Sequence, residues 1–176
     1  PRPTSQHKMN NVPHIRKIYE RYAQRCKAAG AMDFDDLLYN IFVLFHRNPD
    51  NVLEKYQQKF QYLLVDEFQD TNFLQYAILK KLVKYPGSGE NICIVGDDAQ
   101  SIYAFRGATI DNILDFGKDF ANLQTFKLEQ NYRSGKFIVN AANNVITNNL
   151  KQIKKEIWTS QPDSSKIGMV RALSDA

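Results

Sequence analysis

The stretch YLLVDEFQDTN, Tyr62 to Asn72, drives four residues of apolar character straight into two adjacent carboxylates, Asp66 and Glu67, with Asp70 close behind. A short, continuous apolar run of this kind reads as a buried strand over Tyr62–Val65 that delivers Asp66 at its C-terminal end. Paired acids beside a core repel each other and solvate poorly, so something at that strand end has to offset the cost. A divalent cation is the first candidate. Magnesium keeps several waters and is held through one or two carboxylates plus phosphate oxygens. Asp66 suits that contact, and Glu67, one position on at the turn, suits polarising a water for attack on a terminal phosphate. Taken alone, an Asp-Glu pair after an apolar run is more often an ordinary strand end.

The text on either side alternates between helix and strand patterns. Upstream, Ile15, Ile18, Tyr19, Tyr22 and Cys26 share one helical face, and Gly30 ends that helix. DFDDLLYNIFVLFHR follows as a second helix with Asp33 or Asp35 as its N-cap, and NPD at 48–50 marks a loop. Downstream, NFLQYAILKKLVKY reads as a helix broken by PGSGE, and NICIVGD as a second buried strand that places Cys93 in the core. TIDNILDFGKDF reads as a short helix, LQTFKLEQN as a third strand, and SGKFIVNAANNVITNNL as a helix capped by Ser134. This order predicts an α/β fold, a parallel sheet flanked by helices, with ligands gathered at the C-terminal strand ends.

Two more clusters fall at such ends. In GDDAQSIYAFRGA, Gly96 permits a tight turn, and Gln100 carries an amide able to report on a γ-phosphate or its attacking water. Tyr103, Phe105 and Arg106 then offer two aromatic faces and a cation, a combination suited to stacking on single-stranded bases. The competing reading puts Tyr103 and Phe105 into the core of an edge strand, since packing uses the same rings. In LEQNYRS, Tyr132 and Arg133 precede a helix. An Arg there suits charge developing on a transferred phosphoryl group, against the ordinary fate of a surface salt bridge.

Composition bounds these readings. The 176 residues, 43% hydrophobic and 12% aromatic, suit a packed core in one domain, or one domain plus part of another. No apolar run approaches the roughly 18 residues of a membrane-spanning helix. PRPTSQHKMNNVP has no secretory h-region and no initiator Met, as expected of a chain cut from something longer. Cys26 and Cys93, far apart and without nearby His, suit a reducing cytoplasm better than zinc or a disulfide. The net charge of +4 is uneven: residues 1–30 hold seven Lys/Arg against a single acid, Glu20. That leading segment suits a polyanion, or is simply a solvated helix face.

FDDLL, VDEFQDTN, VGDDAQSIYAFRGA and KLEQNYRS, in this order and spacing, resemble consecutive motifs of superfamily 1 DNA helicases of the UvrD/Rep type. The likeness runs over about residues 15–160 and includes NIL after the third block and IWTS near the end. It implies a partial RecA-like fold of the P-loop NTPase type and a 3′-to-5′ motor driven by ATP and Mg2+. The implied organisation is the tail of an inserted helical subdomain at 1–32, the later part of a first RecA-like domain at 33–128, and the start of a second at 129–176. Asp66 would hold magnesium, Glu67 would activate water, and Gln69 and Gln100 would sense the nucleotide. Arg133 would reach the γ-phosphate, Tyr132 would pack on adenine, and Tyr103, Phe105 and Arg106 would line the DNA path. The implied partners are single-stranded DNA, junctions of single and double strands, and the remaining helicase domains, with no membrane.

The chain departs from the family pattern in places. It has no GxxxxGK[ST] loop, so the phosphates lack that backbone cradle and its lysine, and the later C-terminal motifs are missing. Ala99 stands where a carboxylate is common, and Phe105 where Trp is frequent, which keeps a stacking face. The isolated chain is therefore expected to hydrolyse ATP negligibly. The alternatives are a non-hydrolysing, single-strand-binding or regulatory remnant of such a helicase, and a metal-dependent nuclease using Asp66, Glu67 and Asp70.

Overall fold

The computed structural model describes residues 14–162 and 166–168. The start of the expected 1–32 segment, with Arg2 and Lys8, lies outside the described residues, as does the end of the 129–176 segment. The chain divides into two compact units, one of residues 1–65 and 72–93, the other of residues 66–71 and 94–176.

In the first unit, α1 spans Ile15–Ala28 and closes with Arg25 and Lys27 in its last turn, where cations complement the helix dipole. Gly30 follows in the left-handed region, φ 61°, as a helix stop requires. The periodic face expected of α1 does form, but none of its residues is buried and Ile18 is 65% exposed. Of the two N-cap candidates for α2, Phe34–Arg47, Asp33 holds the position. Its carboxylate accepts from the Asp36 N–H at 2.8 Å while the Asp36 side chain accepts from the Asp33 N–H, a reciprocal capping box. The 48–50 loop forms with Asn48 and Asp50 at positive φ, and α3 runs Val52–Lys59 beyond it. α4, Phe73–Val83, carries its own capping box from Asn72 and Gln75. It packs against both α2 and α3, burying Phe45, Tyr76, Leu82 and Val83, and the Gln57 amide donates to the Lys81 carbonyl at 2.8 Å. Each such buried side chain contributes roughly 1.5–3 kcal/mol.

β1, Leu63–Val65, and β2, Ile92–Ile94, make a two-stranded parallel sheet, and the Leu63 N–H donates to the Asn91 carbonyl at 2.9 Å. Both strands are shorter than the sequence suggests, and they are not buried on both faces. Leu63, Val65, Ile92 and Ile94 are half-buried, whereas Leu64 is 79% exposed and Cys93, expected in the core, is exposed. Side chains alternate across a strand, so one face of the pair is covered and the other is bare.

The second unit has a core of Phe68, Phe116 and Phe120. Phe68 meets Phe116 edge-on at 5.5 Å, and Phe116 stacks on Phe120 at 4.6 Å, geometries that aromatic rings favour. The short helix expected over 109–120 forms as two single turns, α5 (Asp111–Leu114) and α6 (Phe116–Asp119), divided at Asp115. The third strand does not form: residues 123–129 belong to no ladder, and only Gln130 makes a parallel bridge, to Trp158. Phe126 and Leu128 stand more than 80% exposed, because no neighbouring strand is present among the described residues to cover them. α7, Lys136–Ile146, begins after Gly135 rather than after a capping Ser134. The Ser134 N–H instead donates to the Asn131 side chain, which closes the turn ahead of the helix. Among the described residues the result is a mixed α/β fold with one small parallel sheet.

Candidate functional site

The cluster VDEFQDTN turns sharply after β1. Glu67 adopts the left-handed region, φ 50° and ψ 40°, which strains a residue with a Cβ and is found disproportionately at functional sites. The Glu67 N–H donates to the Asp66 carboxylate at 2.8 Å, and the Phe68 N–H to the Val95 carbonyl. A 3₁₀ turn over Phe68–Asp70 then drives Phe68 fully into the core and Gln69 almost fully, to 1% exposure. The turn is held from behind by Thr71, whose hydroxyl donates to the Phe68 carbonyl at 2.7 Å. The buried Asn112 amide donates in turn to the Thr71 carbonyl at 3.0 Å.

Gln69 spans the site. Its amide nitrogen donates to the Glu67 carboxylate at 2.8 Å, and its amide oxygen accepts from the Asp97 N–H at 3.0 Å. The Gln69 carbonyl accepts the Ser101 hydroxyl. A buried amide with both ends satisfied is a rigid spacer between Glu67 and the GDDAQ loop. Beside it, Asp70 Oδ1 is buried without a hydrogen-bond partner.

On that loop, the Gln100 amide donates to Asp97 Oδ2 at 2.7 Å and the Ala99 N–H to Asp97 Oδ1 at 3.0 Å. Lys155 reaches both neighbouring acids, Asp97 Oδ1 at 2.5 Å and Asp98 Oδ1 at 2.6 Å. Burial pushes the Asp97 carboxyl up, but hydrogen bonds from Lys155 and Gln100 and the Lys155 charge outweigh it and hold the group below the usual carboxylate range. Burial likewise works against charge on Lys155, and its two carboxylate partners more than reverse that.

The other expected residues occupy two further places. Tyr103 and Phe105 do not enter a core: a 3₁₀ turn over Ala104–Arg106 leaves Phe105 78% exposed. The Arg106 guanidinium lies 5.5 Å from one ring centroid and 5.4 Å from the other, a cation held across two aromatic faces. Tyr132 and Arg133 are exposed on the 131–134 turn, where the Tyr132 hydroxyl donates to Gln130 and the Arg133 N–H to Asn131. The Arg133 guanidinium has no carboxylate partner among the described residues. The structure thus links Glu67, Gln69 and Gln100 through Asp97, and leaves the aromatic trio and Arg133 outside that hydrogen-bonded set.

Asp97, Asp98, Lys155 and Asn112 were not among the expected site residues. A second pair of adjacent carboxylates, Asp97-Asp98, was a legible demand for a cation. Nothing local says that the cation comes from Lys155, 57 residues beyond Asp98.

The chemistry of the donors fits hydrated magnesium held with phosphate. Asp66 is exposed at the strand end, and no group of three or more His, Cys, Asp or Glu side chains able to hold a metal occurs among the described residues. No helix among the described residues is long and apolar enough to cross a membrane.

Comparison with known sequences identifies relatives of the chain. The family model for the UvrD/REP helicase N-terminal domain matches residues 2–121, and that for the UvrD-like helicase C-terminal domain matches residues 126–175. The chain is 47% identical over 161 residues to the ATP-dependent DNA helicase PcrA of Staphylococcus aureus, covering 92% of this chain and 22% of that protein. It is 46% identical over 159 residues to DNA helicase II of Haemophilus influenzae, covering 90% of this chain and 21% of that protein. Against PcrA of Bacillus subtilis the figures are 46% over 157 residues, 89% and 21%. The chain spans about a fifth of the length of these relatives. Since the N-terminal family model alone matches residues 2–121, more than half of the chain, the chain belongs to the UvrD/REP helicase family.

Proposed function

We propose that this chain is the middle of an ATP-dependent DNA helicase that moves 3′ to 5′ on single-stranded DNA and acts at junctions with duplex. In this reading residues 1–32 end an inserted helical subdomain, 33–128 belong to a first RecA-like domain and 129–176 open a second. ATP and Mg2+ are the cofactors, and the remaining helicase domains supply the phosphate-binding loop that the 176 residues lack.

Asp66 offers its carboxylate to magnesium, and Glu67 takes the proton of the attacking water. Gln69 and Gln100 fix the position of that base and report whether a γ-phosphate is present. Tyr132 packs on the adenine, and Arg133 reaches the γ-phosphate. Bound Mg-ATP supplies the transferable phosphoryl group and the metal charge that offsets the Asp66-Glu67 pair. Tyr103, Phe105 and Arg106 line the DNA path, the two rings for bases and the Arg106 charge for a backbone phosphate. The observation that carries the reading is the buried Gln69 amide, which fixes the Glu67 carboxylate at 2.8 Å on a strained turn.

The test is Glu67→Gln in the full-length protein, with DNA-stimulated ATP turnover and ATP binding measured separately. Removal of a general base is expected to lower turnover roughly 10²–10⁴-fold while ATP still binds. Unchanged turnover would refute the assignment. Salt-sensitive single-strand binding with no turnover even in the unaltered protein would favour a non-hydrolysing remnant.

A further inference from the structure

Asp97 and Asp98 are adjacent acids with different surroundings. The Asp98 side chain is 2% exposed and also accepts the Ile153 N–H at 2.8 Å, while the Asp97 side chain is 36% exposed. One ammonium, Lys155 Nζ, bonds both, and its side chain is 18% exposed. Two like charges at neighbouring positions are tolerated in a partly buried site when a cation is shared between them, and a buried carboxylate stripped of its partner is strongly unfavourable.

Asp97 is also the junction of the site. It holds the Gln100 amide through its side chain and the Gln69 amide oxygen through its N–H, and Gln69 holds Glu67. A continuous set of hydrogen bonds therefore runs from Lys155 to the carboxylate read as the general base.

We propose that Lys155 is a positioning residue for ATP hydrolysis, fixing the Asp97–Asp98 loop so that Gln100 and Gln69 hold their working geometry. It rests on the proposed function above and extends the site to the segment 153–155, whose two anchors on Asp98 and Asp97 make it part of the nucleotide-responsive machinery. Lys155 touches no reacting group. Its effect passes through Asp97.

The experiment uses the full-length protein and measures DNA-stimulated ATP turnover for Lys155→Met, Lys155→Arg, Glu67→Gln and the double variant Asp98→Asn/Lys155→Met. Misplacement of catalytic groups by about an ångström lowers rates by roughly a hundredfold. Lys155→Met is accordingly expected to lower kcat by roughly ten- to a hundredfold with the ATP KM within about threefold, and Lys155→Arg to recover most of the rate. The double variant removes the uncompensated buried charge and restores the fold should Lys155→Met lose it. Its kcat is expected to stay low, because Asp97 still lacks the Lys155 ammonium. A double variant with unaltered kcat, or a Lys155→Met turnover within twofold of the parent, would overturn the inference. Full activity in Glu67→Gln would instead show that the underlying reading of the site is wrong.

Discussion

A Cβ added to Gly96 would lie 2.6 Å from the amide oxygen of Gln69 and 3.0 Å from the Ile113 side chain. Gly96 therefore matters for closeness: the strand end has to let the Gln69 amide lie against its backbone. Gly96→Ala is expected to push that amide away from the Asp97 N–H, which would leave buried polar groups unpaired at about 1–3 kcal/mol. Chemical denaturation should show that loss, and DNA-stimulated ATP turnover in the full-length protein should fall with it. Wild-type stability with wild-type turnover would mean that Gln69 finds another equally good seat.

Phe105 and Arg106 form the most exposed aromatic and cationic pairing at the site, with Tyr103 as the second ring. With the two rings on bases, Phe105→Ala should weaken single-strand DNA binding by about 1–3 kcal/mol, and Phe105→Trp should keep it. Arg106→Ala should reduce the slope of log affinity against log salt by about 1, as expected for loss of one backbone phosphate contact. Neither change should alter ATP affinity in the absence of DNA. Titration of a labelled oligonucleotide at several salt concentrations measures both, and an unchanged salt slope would remove Arg106 from the DNA path.

The sequence announced most helices because their signals are local. Asp33 with Asp36 and Asn72 with Gln75 are capping boxes complete within four residues, and Gly30 is a helix stop. Strand burial was misjudged because it depends on neighbours. Leu64 and Cys93 sit in apolar runs, yet each faces a side of the sheet with no cover among the described residues. The stretch 123–129 has strand composition and no partner to pair with among the described residues. At the site, Glu67, Gln69 and Gln100 were legible as residue types in a motif. Their junction, Asp97, and its counter-ion Lys155 were not, because the tie joins positions 58 residues apart.

Asp33 links the middle of α1 to the start of α2: it caps α2 through the Asp36 N–H and accepts the Tyr22 hydroxyl at 2.9 Å. The bond from the Asp36 N–H, followed by that from Tyr22, holds its carboxyl below the usual range. A folded-state value below the unfolded one means that the stabilisation is present above the unfolded value, about 3.9, and is lost as pH falls through the folded value. Thermal unfolding from pH 7 down to about pH 2 should therefore show a larger drop for the parent than for Asp33→Asn, which retains an acceptor but has no charge to lose. Tyr22→Phe should remove only part of the difference, because the larger cause is the cap. Parallel curves for the parent and Asp33→Asn would show that this carboxylate has no pH-linked role.

Asn112 is buried, and its amide nitrogen meets two oxygens of Thr71, the carbonyl at 3.0 Å and the hydroxyl at 3.2 Å. The two substitutions that separate donor from shape are Asn112→Ala and Asn112→Asp. Alanine removes the donor and leaves space, although the Thr71 carbonyl keeps the Thr109 N–H, so a loss of about 1–3 kcal/mol is expected. Aspartate keeps the shape but sets a carboxylate oxygen against the Thr71 carbonyl, so at neutral pH it should be the more damaging despite its near-identical volume. Lowering the pH below the raised value of a buried carboxyl should restore a donor and narrow the gap to alanine. Denaturant unfolding of both variants at pH 7 and pH 5 reads this directly. The order Asp worse than Ala at pH 7, converging at pH 5, is expected if the amide donor holds the turn that carries Gln69. The opposite order at pH 7 would mean that Asn112 serves chiefly by filling space.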